Sequence, residues 1–375
     1  MTIPAESLAE FDEHHHEVIA RLRRIGPVAW AEALGGWVVT SRELAIEVMR
    51  DADLFTVDDP RFSTAQVVGP SMLSLDGDNQ RRHRQPFVDA FRPAVVAQYA
   101  ELIQQTSNDL VVAMMTGGCG DLRRQLCAPL AVSVVALSLG LEGIDTQQLL
   151  SWYAAIVRSV EDVSQGLPVS ESGSLAYQQL AAAVGDAQLS IGSPLAQAAQ
   201  HLSAAEVASN AAVFLFGGIE TSEAMTANLL HHLLTHPAQF DALRHDPALI
   251  DVAVEESLRL EPAAARVDRY ATRSAQIGGV DVAAGDLVVV SLAGANRDPE
   301  FFDNPDEFDI TRAKARHHLT FAQGPHACIG AQFARLEARS AVRSVIELLP
   351  GVCLVEMPRT TGVIFRKPLT VDVRW

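Results

Sequence analysis

The chain has 375 residues, 48% of them hydrophobic, which is ample for a sizeable core and excludes an intrinsically disordered protein. Its formal charge of −17 excludes general nucleic-acid binding, although arginines cluster locally. Cys119, Cys127, Cys328 and Cys353 show neither a Cys-x-x-Cys metal spacing nor a disulfide framework, and no apolar run reaches the ~20 residues of a membrane span, so a soluble cytoplasmic protein is expected.

In chain order, residues 7–24 read as an amphipathic helix, Trp37-Val38-Val39 as a strand, and the segment after Ser41 as a helix ending near Arg50. His14-His15-His16 is not read as a metal site, because adjacent helical residues point in different directions; a solvated helix face is expected. Residues 51–77, rich in Asp, Pro, Ser and Gly with scattered apolar side chains, read as a long loop of the kind that contacts ligands. A basic helix opens at Gln80-Arg81-Arg82-His83-Arg84, and helical periodicity recurs over 94–116, 129–141, 145–161 and 175–189.

Ser203-Ala204-Ala205-Glu206 is a capping box, and a proline-free helical pattern runs from it to Thr235, a rod of about 48 Å at 1.5 Å per residue. Gly217-Gly218-Ile219-Glu220-Thr221-Ser222 interrupts its apolar run at roughly 1 kcal/mol per glycine relative to alanine, so a bulge or widened turn is expected there. Packing against small residues accounts for the glycines but not for the Glu-Thr pair. Glu256 and Arg259 share a face of the 250–260 helix, and Ala263-Ala264-Ala265-Arg266-Val267-Asp268-Arg269 leads into strand-like segments. Short strands over 353–356, 363–366 and 369–373 close the chain.

The chemistry concentrates at Phe321-Ala322-Gln323-Gly324-Pro325-His326-Ala327-Cys328-Ile329-Gly330. Helical periodicity over 331–349 puts the Cys328 thiol at a helix N-terminus, where free N–H groups favour a thiolate able to bind a metal. Gly324 and Gly330 permit tight turns, and His326 can donate to an anion. A buried free cysteine beside a turn, or a zinc site through His326 and Cys328, are the alternatives. The spacing Phe-x-x-Gly-x-His-x-Cys-x-Gly before a helix resembles the heme-binding loop of the cytochrome P-450 family. Gly-Gly-x-Glu-Thr in the long helix, Glu256-x-x-Arg259, Arg312 and a basic helix carrying Arg84 resemble that family's other landmarks, in the right order.

That resemblance implies one mainly α domain with a small β lobe (α+β), spanning 1–375, with heme b between the long central helix and the cysteine-loop helix. Cys328 is then the iron ligand, and Phe321, His326 and Gly330 contact the cofactor. Arg84, Arg269 and Gln80, which stands where the family has histidine, hold the propionates. Glu220 and Thr221 relay protons; Glu256, Arg259 and Arg312 form a structural charge network. Ala212, Phe216, Gly217, Ala263, Ala264, Ala265 and Ile364 line the substrate pocket. The implied reaction inserts one oxygen atom from O2 into a hydrophobic natural product or lipid. Its electrons come from NAD(P)H through a ferredoxin docking near Arg81, Arg82, Arg335 and Arg339. Oxidative coupling, peroxide-driven oxidation and non-catalytic heme sensing are the alternatives. A monomer without nucleic-acid or membrane partners is expected, with a lid section, 162–202, shorter than is usual in the family.

Overall fold

A computed structural model describes residues 7–141, 143–164, 166–187 and 192–375. The architecture is mainly α with four small sheets, built around the helix Ala204–Thr235. Its capping box forms: Ser203 Oγ accepts from Glu206 N–H, and the Glu206 carboxylate accepts from Ser203 N–H at 2.8 Å, satisfying two of the free amides at the helix start. Nearly every residue from Val207 to Leu234 is buried, because the helices Ala128–Leu139, Glu171–Ala187, Leu249–Leu260 and Ala331–Leu348 all pack on it. Its Phe214 ring stacks on Phe91 and tilts against Phe87, each at 5.0 Å between centroids, which ties the basic helix Gly77–Val88 and the turn after it to the long helix.

The largest sheet runs in the order Val28–Ala31, Gly36–Val39, Leu287–Ser291, Arg266–Ala271, Phe55–Thr56, parallel at the second junction and antiparallel elsewhere. The Val288-Val289-Val290 run is buried on both faces: Val288 and Val290 pack with the helix Arg42–Arg50, and Val289 packs toward the helix His15–Ile25. The C-terminal strands Cys353–Leu354 and Asp372–Arg374 join Cys119–Asp121 in a three-stranded sheet.

Four expectations change, the first being the 363–366 strand, which is reduced to an isolated bridge between Phe365 and Ala264. The 7–24 helix breaks at His14 into Leu8–Glu13 and His15–Ile25, and the histidines are not a solvated face: His15 is buried, and His16 Nε2 lies 2.7 Å from Glu261 Oε2. The Glu261 carboxylate, also bound by Arg366 Nε at 2.8 Å, is buried and draws the imidazole inward. The 51–77 loop contains the strand Phe55–Thr56 and the helix Ser63–Val68. The 175–189 helix starts earlier, as Glu171–Ala187, and residues 188 and 189 lie outside the described ones.

Glu256 and Arg259 are both fully buried and joined in a fork, Nε to Oε2 and Nη2 to Oε1, each at 2.8 Å. Arg259 spends its other donors on the carbonyls of Asn296, Pro305 and Glu307, at 2.7–3.1 Å. Arg312 Nε and the Asp309 N–H both reach Glu256 Oε1, at 2.9 and 3.1 Å. A buried ion pair is tolerable when its hydrogen-bonding capacity is filled in this way. The group locks the helix Leu249–Leu260 to the irregular 296–312 segment, so Glu256→Ala, which strands Arg259, is expected to cost about 3–5 kcal/mol in urea unfolding. A loss under 1 kcal/mol would mean that the network is dispensable.

Candidate functional site

The loop from Phe321 to Gly330 is a compact turn whose backbone closes on itself. Cys328 N–H donates to the Phe321 carbonyl at 2.8 Å, and Ala327 N–H to Gly324 at 3.1 Å. Gly324 has φ +74° and sits on the end of the helix Arg42–Arg50, where a Cβ would run into the Met49 carbonyl. Ala322 is left-handed too, at φ +55°, a conformation that costs a residue with a Cβ roughly 1–2 kcal/mol. The loop is clamped from outside by Gln80 Nε2 on the Pro325 carbonyl at 2.9 Å, Arg84 Nη2 on the Ala327 carbonyl at 2.6 Å, and Arg50 Nη2 on Gln323 Oε1 at 3.1 Å. Asp76 anchors His326 at 2.7 Å. Burial alone would raise Asp76, but hydrogen bonds from His326, Thr56 and the Val57 N–H overcome it and hold the carboxyl at about 2.

This geometry aims Cys328 into a cavity of about 850 Å³, within the ~300–1,000 Å³ typical of ligand pockets. Cys328 is exposed to the cavity, yet desolvation by the surrounding protein pushes its thiol up, against the N–H groups of Gly330 and Ala331 and the charges of Arg84 and Arg335, which favour the thiolate. A helix N-terminus alone would lower the thiol, and desolvation outweighs it.

Of the residues singled out from sequence, Cys328, Phe321, Gly330, His326, Arg84, Arg269, Thr221, Phe216, Gly217, Ala263, Ala264 and Ile364 line this one cavity. Gln80, Glu220, Ala212 and Ala265 do not. Gln80 is buried under the cysteine loop, bracing Pro325. Ala212 lies one turn before Phe216 on the same face of the long helix, but it is buried and its short side chain does not reach the cavity that the Phe216 ring lines. Ala265 is fully buried, its amide bonded to the Ile364 carbonyl at 2.8 Å. Glu220 accepts from the Tyr153 hydroxyl and pairs with Lys367 Nζ at 2.7 Å, away from the cavity.

The expected bulge in the long helix is absent. The helix is regular through Gly217 and Gly218, and the Thr221 hydroxyl donates to the Gly217 carbonyl, filling the turn that was expected to open. The glycines divide their roles: a Cβ on Gly218 would strike Val135 of the neighbouring helix, while Gly217 faces open space. The four arginines expected to form a docking patch are not free either. Arg81 pairs with Asp78, Arg82 with Glu206, Arg335 with Glu255 at 2.6 Å and Arg339 with Asp251 at 3.1 Å.

Glu337 was missed. It lies on the cysteine helix Ala331–Leu348, is 1% exposed, lines the cavity, and its Oε1 has no partner. Its signal was an acid four residues after Phe333, on the apolar stripe. Burial raises its ionisation well above the carboxylate range; a Ser222 hydrogen bond opposes this, and the Glu223 charge adds to it. The lid section reaches the cavity through Val163 and Leu167.

The family profile described as Cytochrome P450 matches residues 191–349. The "Biotin biosynthesis cytochrome P450" of Bacillus subtilis (strain 168) is 30% identical over 95% of this chain and 94% of its own. The "Cytochrome P450 monooxygenase PikC" of Streptomyces venezuelae is 31% identical over 93% of this chain and 87% of its own. Among solved structures, P450BioI in complex with a hexadec-9Z-enoic acid ligated acyl carrier protein superimposes with a TM-score of 0.89 at 27% identity, over 98% of this chain and 100% of that one. CalO2 gives 0.89 at 27%, over 100% and 98%.

Glu337 fixes a sign for pH dependence. Its native ionisation lies above its unfolded value of 4.5, so above that pH the native state holds a proton that the unfolded chain has lost, and stability falls as pH rises through the window. Glu337→Gln should therefore gain stability over the parent at pH 8, with the gain shrinking as pH falls toward 4.5 and absent below it. A difference in melting temperature that does not vary with pH would show that Glu337 titrates normally.

Proposed function

The chain belongs to the cytochrome P450 family of bacterial monooxygenases and is an oxidoreductase, and we propose that Cys328 would hold the iron of a heme b in its cavity. The observation that carries this reading is one cavity lined both by a loop-held cysteine and by two arginines that make no ion pair among the described residues. Arg269 is 3% exposed, and its one hydrogen bond goes to the neighbouring Asp268 carbonyl; Arg84 bonds only the Ala327 carbonyl. Buried guanidinium groups without a carboxylate are costly, and the two carboxylates of a heme satisfy them. Gly217, open to the cavity, leaves room for a flat group against the long helix. Phe321, His326 and Gly330 complete the cofactor's surroundings.

When bound, heme supplies the dioxygen chemistry, with the thiolate favouring O–O cleavage. The protein's part is proton placement and substrate orientation. The Thr221 hydroxyl commits its hydrogen to Gly217, which leaves its oxygen lone pairs to accept from a water in the cavity. Glu220 stands behind it, between Tyr153 and Lys367, and links that water to the protein exterior when its ion pair opens. Phe214, Phe216, Leu73, Val163 and Ile364 exclude water and select a mostly hydrophobic substrate, a natural product or lipid. Electrons come from NAD(P)H through a ferredoxin, and docking at Arg335 and Arg339 exchanges ion pairs with Glu255 and Asp251 for pairs with the partner, so its rate falls with salt. Oxidative coupling and peroxide-driven oxidation use the same cavity without needing Thr221 as a proton device, and a sensor needs no turnover.

The reduced carbon-monoxide complex should show the long-wavelength Soret band of thiolate ligation, and Cys328→His should abolish it; a band that survives removes Cys328 as the ligand. Thr221→Ala should retain heme and substrate binding but lower product formed per NAD(P)H by about tenfold or more, with hydrogen peroxide rising to match. Unchanged coupling would mean that protons arrive by another route, and would favour the rivals.

A further inference from the structure

The cavity wall holds one charged pair that the reading above does not use. Arg266 and Asp268 lie two residues apart on the strand Arg266–Ala271, hence on one face of it, and both line the cavity. Their side chains are 13% and 28% exposed, and Arg266 Nε stands 3.6 Å from Asp268 Oδ1, beyond hydrogen-bond reach. Arg266 Nε, Arg266 Nη1 and Asp268 Oδ1 are all buried without a partner. The pair thus leaves two donors and one acceptor unfilled side by side, a costly arrangement unless something binds there.

The other cations of the wall are accounted for. Arg61 is held by Asp59 in a fork, at 2.8 and 2.9 Å, and by the Gly285 carbonyl. Arg84 and Arg269 are assigned to the cofactor. What remains is a neutral pair of opposite hydrogen-bonding sense. A carboxylate would suit Arg266 but be repelled by Asp268, and an ammonium the reverse. The group that fills both presents an acceptor and a donor on the same edge, as a cis amide does.

We propose that Arg266 and Asp268 form a polar anchor for a lactam edge of the substrate, its carbonyl accepting from Arg266 and its N–H donating to Asp268 Oδ1. This rests on the reading of the cavity as a substrate chamber and narrows the substrate from any hydrophobic molecule to one carrying a cyclic amide. Phe216, Val213 and Ile364, from the same lining, take its apolar part. A site built to pair both groups rejects an analogue that lacks one of them, because the orphaned partner stays buried.

The test is calorimetric titration of the heme-loaded protein with a heptyl-substituted δ-lactam, the matching δ-lactone, which keeps the carbonyl but lacks the N–H, and dodecanoate. The lactam should bind about tenfold or more tighter than the lactone. In an Arg266→Met/Asp268→Leu double variant of unchanged heme content, that ratio should fall to about one. Tightest binding by dodecanoate would make the pair an anion site and overturn the proposal. Equal affinities would overturn it in favour of a pair filled by water alone, and failure of the lactam to bind overturns it as well. The Cys328 reading is judged separately, by the reduced carbon-monoxide band of the same preparation.

Discussion

A thiol that faces a cavity must be carried by backbone that has no regular structure to satisfy it, and the rest of the molecule is arranged to meet that requirement. The loop from Phe321 to Gly330 closes two of its own amides internally, through Cys328 and Ala327. It spends two positive-φ residues on the turn, and hands its remaining carbonyls at Pro325 and Ala327 to Gln80 and Arg84. The clamps come from two elements, Gln80 and Arg84 from the helix Gly77–Val88 and Arg50 from the helix Arg42–Arg50, so the thiol position is set by those two helices together, and not by the cysteine helix alone. This explains the place of Gln80: a neutral side chain with an N–H donor is enough to hold a carbonyl, and the charged task falls to Arg84 and Arg269.

Behind the loop, Glu256, Arg259 and Arg312 do for the 296–312 segment what strand pairing does elsewhere. That segment is irregular, its carbonyls at Asn296, Pro305 and Glu307 have no ladder partner, and Arg259 supplies three donors from a position with no exposure. The carboxylate of Glu256 makes such a burial possible. Charge is used here as a scaffold for backbone, and the fork geometry of the guanidinium is why lysine would not replace it.

Much of this was legible in the sequence where the signal is local. The limits of the long helix follow from Ser203, Glu206 and Pro237, the cysteine turn from its glycines, and the Glu256–Arg259 pair from a spacing of three. Direction and long-range pairing were not legible. Ala212 and Phe216 look alike as apolar positions one helical turn apart, and only the longer phenyl side chain reaches the cavity. His16 meets Glu261, and Gln80 meets Pro325, each across 245 residues of chain, and no periodicity reports such contacts. The arginines read as a free patch because their partners Glu206, Glu255 and Asp251 lie on other helices. The helix at Gly217 was read as open because glycine weakens a helix on average, but the Thr221 hydroxyl supplies a local bond that propensity does not count.

The acids around the long helix show how position assigns roles to identical groups. Glu223 is bound by Arg123 Nε at 2.7 Å and Lys367 Nζ at 3.1 Å, and Glu220 by Lys367 and the Tyr153 hydroxyl, so each has a cation within reach. Glu337 has none; the Glu223 charge and burial both push it toward the neutral acid. A paired carboxylate is held in place by its cation and moves a proton only when that pair opens, whereas an unpaired buried acid keeps its proton to higher pH. The two kinds approach the cavity from different helices, Glu220 behind Thr221 and Glu337 beside Ser222. The side of the long helix that faces the cysteine helix is therefore charge-poor, and the side that faces Lys367 is charge-rich. Arg84 and Arg269, which make no ion pair among the described residues, stay available to an anion in the cavity.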